Sequence, residues 1–396
     1  MDTTGSFARM PPQSSRVATL FGILLATANI LYTGLKSSAR YFLQGPLAPS
    51  WDIGTNVRYD LFRYMYCQNS SGILHRASLR WWVPISDYVS RLVHGERYPC
   101  TVSCIQVPAI AISTIVAQCA GRWANQLQRI STKAVAAGDI IQIECIAHRD
   151  IPPTTDGGGG CPIKVILYFH GGAYVTGSVT EYRFMHTRLS FETRLPVYSV
   201  EYRLAPQSRY PTQLYDAFCA YMYLRHDLGY NSHDIIISGD SAGGNLALAL
   251  WQLIHAQGLR IAAMVLLSPR VDITYTRETW QRSDCIDIMQ PVRLDDPESS
   301  LCKLLGPLAR VDGITSDPFL APINADLAQL PPTLVQAGGQ ESMYADICEF
   351  VTRASASGAV ELQVLPDGVH VSHFVTPDLR GVDKLWHSIG AFVRSL

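Results

Sequence analysis

One serine of this chain lies in a sequence pattern typical of an activated nucleophile. The pattern Gly-x-Ser-x-Gly covers residues 239–243 and places Ser241 between an apolar run, residues 235–237, and an apolar helical pattern, residues 245–250. Glycines on both sides permit a sharp turn between a strand and a helix, because they carry no side chain that would obstruct it. Such a turn exposes the hydroxyl group and points the first helical amides at a developing oxyanion. The pattern therefore predicts nucleophilic catalysis by Ser241.

A glycine pair further upstream could stabilise the negative charge that this chemistry develops. His170, Gly171, Gly172 and Ala173 follow a predicted buried strand, residues 163–169. Small residues at this point let the main chain approach a substrate carbonyl closely and donate amide hydrogens to it. An ordinary glycine turn is the alternative for either motif taken alone. The two motifs in this order, each behind a strand, favour a serine hydrolase.

Four short segments occur in a recognisable order within residues 138–396. They are His170-Gly171-Gly172-Ala173, Tyr202-Arg203-Leu204-Ala205-Pro206, Gly239-Asp240-Ser241-Ala242-Gly243 and Leu330-Pro331-Pro332-Thr333-Leu334-Val335. Together they resemble the hormone-sensitive-lipase-like branch of the α/β-hydrolases, and the chain looks similar to its fungal, membrane-anchored esterases and steryl acetyl hydrolases. The resemblance implies that Ser241 is the nucleophile and that the amides of Gly171, Gly172 and Ala242 line the oxyanion hole. Ala173 stands where many members have a third glycine.

The catalytic histidine has two candidates near the end of the chain. In this fold the triad order is serine, acid, histidine. Both His370 and His373 follow a predicted strand, residues 360–365, and the turn Pro366-Asp367-Gly368. The family places its histidine directly after that turn, which favours His370. His373 remains the alternative, because His373-Phe374 resembles the His-Gly-Phe of relatives.

The acid departs from the family pattern. Many members have an aspartate after the strand that follows Pro-Pro-Thr, whereas Glu341 is the nearest carboxylate here. Glutamate can orient the imidazole and stabilise the imidazolium as aspartate does. Asp346 lies further into the following helix, and Asp317 precedes the Pro-Pro-Thr strand. We favour Glu341, with Asp317 as the alternative. The motif containing Arg203 is interpreted as structural, its guanidinium pairing with carboxylates or carbonyls behind the nucleophile turn.

Composition excludes several classes of function. The 396 residues are 47% hydrophobic and carry a formal net charge of −1, with no basic helix or aromatic-basic cluster. Nucleic-acid binding is therefore not expected. The ten cysteines show no Cys/His spacing typical of a zinc site. No metal and no cofactor are expected, and the sequence does not indicate an oligomeric state.

The spacing of apolar runs predicts the fold class. Predicted strands and helices alternate from about residue 163 onward, which indicates an α/β fold with a mostly parallel central sheet and helices on both faces. We expect a catalytic domain over residues 138–396, with an irregular insertion at about 270–315 that completes a helical lid. Residues 41–135 are predicted to form an N-terminal helical part of that lid. Residues 1–16 are a polar tail.

Residues 17–35 form an uncharged stretch that is nearly long enough to span a bilayer. Thr19, Thr27, Asn29 and Thr33 dilute its apolar character. We expect a single-pass anchor in the membrane of the endoplasmic reticulum, with a cap helix over the active-site mouth as the alternative. The balanced flanking charges leave the orientation open.

The function expected from these residues is hydrolysis of a lipophilic carboxylic ester, such as an acetylated sterol or a secondary metabolite. The reaction would proceed through Ser241, His370 and Glu341 by way of an acyl-enzyme. An acyltransferase or a cyclisation-assisting enzyme of fungal secondary metabolism is the second hypothesis. A catalytically silent binding protein on the same scaffold is the third, because a fold does not determine a function.

Overall fold

The protein is described by a computed structural model. The described parts of the chain are residues 13–67, 98–109, 139–151, 164–273, 286–289, 296–355 and 359–396. Part of the predicted polar tail and much of the predicted N-terminal lid, namely residues 1–12, 68–97 and 110–135, lie outside them.

The strands that the structure describes are numbered in chain order. They are β1 (Cys100–Pro108), β2 (Ile140–His148), β3 (Val165–Phe169), β4 (Val197–Glu201), β5 (Ile235–Asp240), β6 (Ala263–Leu267), β7 (Thr333–Gly338) and β8 (Val360–Leu365). The described helices are α1 (Gln13–Gln44), α2 (Ile53–Cys67), α3 (Arg183–Thr193), α4 (Thr212–His226), α5 (Ala242–His255), α6 (Ser300–Leu305), α7 (Tyr344–Ala354), α8 (Ser372–Val375) and α9 (Val382–Arg394).

In the described part of the chain the strands form one eight-stranded sheet, in the order β1-β2-β4-β3-β5-β6-β7-β8. β2 is antiparallel to both of its neighbours, and the strands from β4 to β8 are parallel. The register places Phe169 opposite Gly239 and Asp240 opposite Leu267. The loops that leave β3, β5 and β6 therefore emerge side by side at the carboxyl edge of the sheet, where ligands bind in such folds.

The central strands are apolar on both faces because helices cover both. Alternate residues of a strand face opposite sides, so Ile166 and Ile236 belong to one core cluster, whereas Leu167 and Ile237 belong to the other. Side chains of α3 and α9 contribute to the first cluster, and those of α4, α5 and α7 to the second. The predicted fold class is confirmed.

The N-terminal region differs from its predicted helical character at residues 100–108. These residues form β1, which pairs along its whole length with β2 and lies at the edge of the sheet. Thr101, Val102, Ile105 and Val107 are β-branched, and such residues favour strands. The helical prediction was wrong here, because pairing with a strand some 40 residues further along the chain is not visible in a local pattern.

The segment predicted to anchor the protein, residues 17–35, belongs to the long helix α1. Within the described residues, no helix combines the length and the apolar character that crossing a membrane requires. The side chains of residues 17–27 lie outside the described ones. The structure therefore gives the predicted anchor no support.

Candidate active site

The nucleophile turn connects β5 to α5. Ser241 adopts the positive φ of 51° in this turn and is 5% exposed. Its amide donates to the carbonyl of Leu267 at 3.0 Å, which ties the turn to the neighbouring strand β6. A Cβ atom at Gly243 would overlap the carbonyl oxygen of Phe169. Glycine is required there because β3 and the start of α5 approach each other backbone to backbone.

Three predicted residues form one chain of hydrogen bonds. The Nε2 atom of His370 lies 2.8 Å from Ser241 Oγ, and its Nδ1 atom lies 2.8 Å from Glu341 Oε2. A carboxylate can only accept, so Nδ1 carries the hydrogen and Nε2 is free to accept the serine proton. All three side chains are buried. The arrangement has the geometry of a nucleophile, a base and an orienting acid.

The sheet positions the acid and the base. Glu341 follows β7, and its Oε1 atom accepts the amide hydrogen of Gly338 at 2.8 Å. His370 follows β8, where Val371 N donates to Ser268 Oγ at 3.0 Å. Burial alone would lower the pKa of His370, but the hydrogen bond and the charge of Glu341 raise this pKa above its usual value. The site therefore favours the imidazolium that forms during acyl transfer.

The alternative candidates occupy other environments. His373 is buried against Trp386, with 4.9 Å between ring centroids, and burial lowers the pKa of His373 to about 3. It is thus a neutral packing residue. Asp317 Oδ1 accepts the amide hydrogen of Phe319 at 3.0 Å, and Asp346 lies in the first turn of α7. Neither carboxylate replaces Glu341 at His370 Nδ1.

The predicted oxyanion hole needs one correction. The amide of Gly171 donates to Asp240 Oδ1 at 2.9 Å, so it cannot donate to a substrate oxygen. The prediction for Gly171 was wrong because a motif shows which residues are present and not where each amide points. The amides of Gly172, Ala173 and Ala242 have no acceptor in the described part of the chain. These three amides are therefore available to donate to a ligand.

Ala173 is a third unpaired amide of the oxyanion motif, which the sequence analysis does not assign as a donor. Gly172 and Ala173 both have positive φ, 111° and 54°. A non-glycine residue in that region is uncommon and is often found where a function requires it. The sequence contains an indication of this role, since Ala173 occupies the third small position of the oxyanion motif. Gly172, Ala173 and Ala242 are therefore the donors that the loop leaves unused.

Asp240 supports the oxyanion loop, residues 170–173, by accepting hydrogen bonds. Its carboxylate accepts hydrogen bonds from Tyr168 Oη at 2.9 Å, Tyr182 Oη at 3.0 Å and the Gly171 amide. Burial raises the pKa of Asp240 to about 6, although the two tyrosine hydroxyls act in the opposite direction. His170 Nδ1 lies 2.7 Å from the Gly171 carbonyl oxygen, and burial lowers the pKa of His170 to about 4. These hydrogen bonds hold the oxyanion loop in place.

Arg203 has the structural role predicted for it. Its guanidinium pairs with Asp216 and with Asp139, each at 2.6 Å. Among the described residues, no group of three or more histidine, cysteine, aspartate or glutamate side chains could hold a metal ion.

The chain is similar in sequence to known hydrolases. The sequence profile described as "alpha/beta hydrolase fold" matches residues 166–374. The carboxylesterase/phospholipase LipF of Mycobacterium tuberculosis is 32% identical over 60% of this chain, and an esterase of Acinetobacter venetianus is 35% identical over 48%. The chain spans 63% and 61% of the lengths of these two relatives. An acetyl-hydrolase of Streptomyces hygroscopicus is 29% identical over 66% of this chain and 84% of its own length.

The solved structures agree with the fold. A double mutant of the esterase E40 is 31% identical, has a TM-score of 0.56, and covers 64% of this chain and 81% of its own. An esterase from the bacterial hormone-sensitive lipase family, 24% identical with a TM-score of 0.61 over 85% of this chain, shares the fold. Since the family profile matches more than half of its residues, this chain belongs to the alpha/beta hydrolase fold family.

Proposed function

We propose that this protein is a serine carboxylic-ester hydrolase. The observation that carries the proposal is the continuous hydrogen-bonded chain from Ser241 Oγ through His370 to Glu341. The names of similar proteins, which include carboxylesterase, esterase and acetyl-hydrolase, support the same class of reaction.

The first half of the reaction would acylate the serine. Ser241 Oγ attacks the ester carbonyl carbon while its proton passes to His370 Nε2, and the carbonyl electron pair moves onto oxygen. The amides of Gly172, Ala173 and Ala242 would hold that oxyanion. Collapse of the intermediate breaks the bond to the leaving alkoxide, which takes the proton from Nε2 and departs as an alcohol. Glu341 stabilises the imidazolium throughout.

The second half repeats this sequence with water. His370 Nε2 accepts a proton from water as its oxygen attacks the acyl carbon, and the same amides hold the second oxyanion. Collapse breaks the bond to Ser241 Oγ, which recovers the proton from Nε2. The carboxylic acid is released and the starting state is restored.

The substrate class is a lipophilic ester with a small acyl group, such as an acetylated sterol or secondary metabolite. Similar proteins named acetyl-hydrolase support a short acyl chain. The aromatic residues around the histidine loop support a lipophilic alcohol part. Phe374 packs against Phe62 of α2 and Tyr182, with centroid distances of 5.6 and 4.6 Å.

Covalent labelling tests the proposal before any substrate is known. A fluorophosphonate should add one mass increment to the wild type and none to Ser241→Ala. Ser238→Ala is the matched control, because Ser238 is buried on the same strand but donates to the carbonyl of Val265 at 2.8 Å. That control should label like the wild type. A folded wild type that takes no label, or labelling that survives in Ser241→Ala, would refute the proposal.

A further inference from the structure

One buried carboxylate beside the site has no part in the mechanism given above. Asp287 is 4% exposed and lies in the described segment 286–289 of the long insertion. Its Oδ2 atom accepts the amide hydrogen of Ser342 at 2.7 Å, and its Oδ1 atom accepts those of Ile288 at 2.7 Å and His370 at 3.3 Å. A carboxylate rarely enters a protein interior unless hydrogen bonds compensate for the lost water.

These contacts join the two loops that carry the acid and the base. Ser342 directly follows Glu341 after β7, and His370 lies in the loop after β8. One carboxylate therefore accepts from the backbone of both loops, from positions 55 and 83 residues away along the chain. Because hydrogen bonds to a charged acceptor are strong and directional, this fixes the separation of the two loops.

Asp287 also connects the site to the N-terminal helices. Its carbonyl oxygen accepts the hydroxyl hydrogen of Tyr59 at 2.9 Å. Tyr59 belongs to α2, is fully buried, and packs on Trp51 with 5.1 Å between ring centroids. Trp51 in turn donates its indole hydrogen to the carbonyl of Asp367, three residues before His370, at 2.9 Å. The N-terminal helices thus reach the histidine loop from two directions.

The charge of Asp287 acts on the base as well. Three carboxylates face His370: Glu341 after β7, Asp287 from the insertion and Asp240 at the end of β5. Burial lowers the pKa of His370, and the charges of these three groups raise it. Glu341 contacts the imidazole, whereas Asp287 contacts only the backbone of the histidine. Asp287 thus adds negative potential without competing for Nδ1.

We propose that Asp287 is a positioning residue of the triad, which holds the Glu341 and His370 loops at a fixed separation and stabilises the imidazolium by its charge. The inference rests on the proposed ester hydrolysis. It adds to the triad a second carboxylate and, through Tyr59, a contribution from the N-terminal helices.

The variant Asp287→Asn tests this role. Asparagine has one accepting oxygen, so it cannot serve the amides of both Ser342 and His370, and it carries no charge. We expect the rate constant for fluorophosphonate labelling and the kcat for p-nitrophenyl acetate to fall by about 10- to 100-fold, with little change in KM. The acid limb of the rate–pH profile should move to lower pH by about half a unit to one unit, because a negative neighbour of His370 is removed.

Two controls separate positioning from simple loss of stability. Asp216→Asn removes another buried carboxylate, which pairs with Arg203 instead of a triad loop. It should lower the melting temperature while leaving the acid limb in place. Tyr59→Phe keeps Asp287 and removes only its link to α2, and should lower kcat by about 2- to 5-fold. Tyr221→Phe removes a buried hydroxyl that bonds Ser232 at 2.7 Å and should leave kcat unchanged.

The outcomes distinguish this inference from the proposed function. A wild type without labelling would refute the proposed ester hydrolysis itself. A wild type that labels, with an Asp287→Asn variant of equal rate and an unmoved acid limb, would overturn the inference alone. If Asp287→Asn does not fold, Tyr59→Phe decides, and a kcat equal to that of Tyr221→Phe would overturn it.

Discussion

The two halves of the candidate site are held in different ways. On the nucleophile side, Ser241 is bonded to Leu267 of the adjacent strand, and Gly171 is bonded to Asp240 across adjacent strands. On the histidine side, the turn before His370 is held by Trp51, which lies 316 residues earlier in the chain than its partner. The nucleophile half is therefore built by the parallel sheet itself, whereas the histidine half needs parts of the chain outside that core.

This difference predicts how each half should respond to substitution. A change on the nucleophile side should disturb the oxyanion donors and the hydrogen bonds of Asp240 that support their loop. A change on the histidine side should alter the pKa and the orientation of the His370 imidazole. Three substitutions, from the largest expected effect to the smallest, test whether the halves behave separately.

Glu341→Gln should produce the largest loss, because it acts on the imidazole directly. Glutamine preserves the shape of the side chain but has no charge, and its amide group can donate to Nδ1 and so favour the wrong tautomer. By comparison with the loss of a triad acid in other serine hydrolases, kcat should fall by about 10³- to 10⁴-fold. Hydrolysis of p-nitrophenyl acetate measures the effect.

Asp317→Asn is the control for that experiment, since Asp317 is the second candidate from the sequence. Its carboxylate accepts the Phe319 amide hydrogen within its own loop. The variant should retain a rate far above that of Glu341→Gln. An unchanged rate in Glu341→Gln, with a large loss in Asp317→Asn, would transfer the role of the acid to Asp317.

Asp240→Asn should have an intermediate effect on the nucleophile half. One carbonyl oxygen cannot accept from Tyr168, Tyr182 and Gly171 together, so the oxyanion loop loses part of its support. Losing a whole oxyanion donor costs about 10²- to 10³-fold in kcat. A loosened loop should cost less, about 10- to 100-fold. The acid limb that reports His370 should move less than in Glu341→Gln, which is how this variant separates the halves.

The stability of the wild type relative to Asp240→Asn should also depend on pH, because only the wild type carries the titrating carboxyl. The pKa of Asp240 is raised from 3.8 to about 6, because burial disfavours the carboxylate. Between these values the folded protein holds a proton that the unfolded chain releases. This contribution is therefore fully present below about pH 4 and is lost as the pH rises through about 6, with a span of roughly 3 kcal/mol.

Urea unfolding across this pH range checks the sign. The free energy of unfolding of the wild type, relative to Asp240→Asn, should decrease as the pH rises from 4 to 6.5. A relative stability that increases over the same window would mean that the folded protein lowers the pKa of Asp240. The hydrogen bonds from the tyrosines would then outweigh burial.

The contrast between the halves also explains what the sequence could predict. The strands from β3 to β8 were visible because short apolar runs are separated by glycine, proline and polar turns. Ser241 could be chosen from its local pattern, because it lies at the turn between a predicted strand and a helix. Glu341 and His370 lie in the loops after two further predicted strands, and parallel strands bring their carboxyl ends together. The family resemblance was needed to favour His370 over His373, and Asp317 stayed open as the alternative to Glu341.

The features that the sequence could not predict depend on contacts between distant parts of the chain or on the direction in which a backbone amide points. Asp287 lies in an irregular insertion without a motif, and its partners are 55 and 83 residues away. Whether Gly171 or Ala173 offers its amide depends on the φ and ψ angles of the loop, which the residue types leave open. For the same reason, the sequence predicts a helical region where β1 lies, since the pairing of β1 with β2 is set by the tertiary fold.

Trp51→Phe should have the smallest effect, and it tests the most distant contact of the histidine half. Phenylalanine removes the indole hydrogen bond to the Asp367 carbonyl and leaves an aromatic ring against Tyr59. The lost bond should cost about 1 kcal/mol of stability. Because Asp367 precedes His370 by three residues, kcat should also fall by about 2- to 5-fold, with KM little changed.

Trp251→Phe is the matched control for this last substitution, because Trp251 is a buried indole near the end of α5 whose ring stacks on His255. It should cost stability without the fall in kcat. If both variants lose stability and neither loses kcat, then the Trp51 contact serves only to attach the N-terminal segment. The histidine loop would in that case be positioned from within the hydrolase core, as the nucleophile turn is. A fall in kcat for Trp51→Phe alone would instead show that the N-terminal segment is part of the machinery that orients His370.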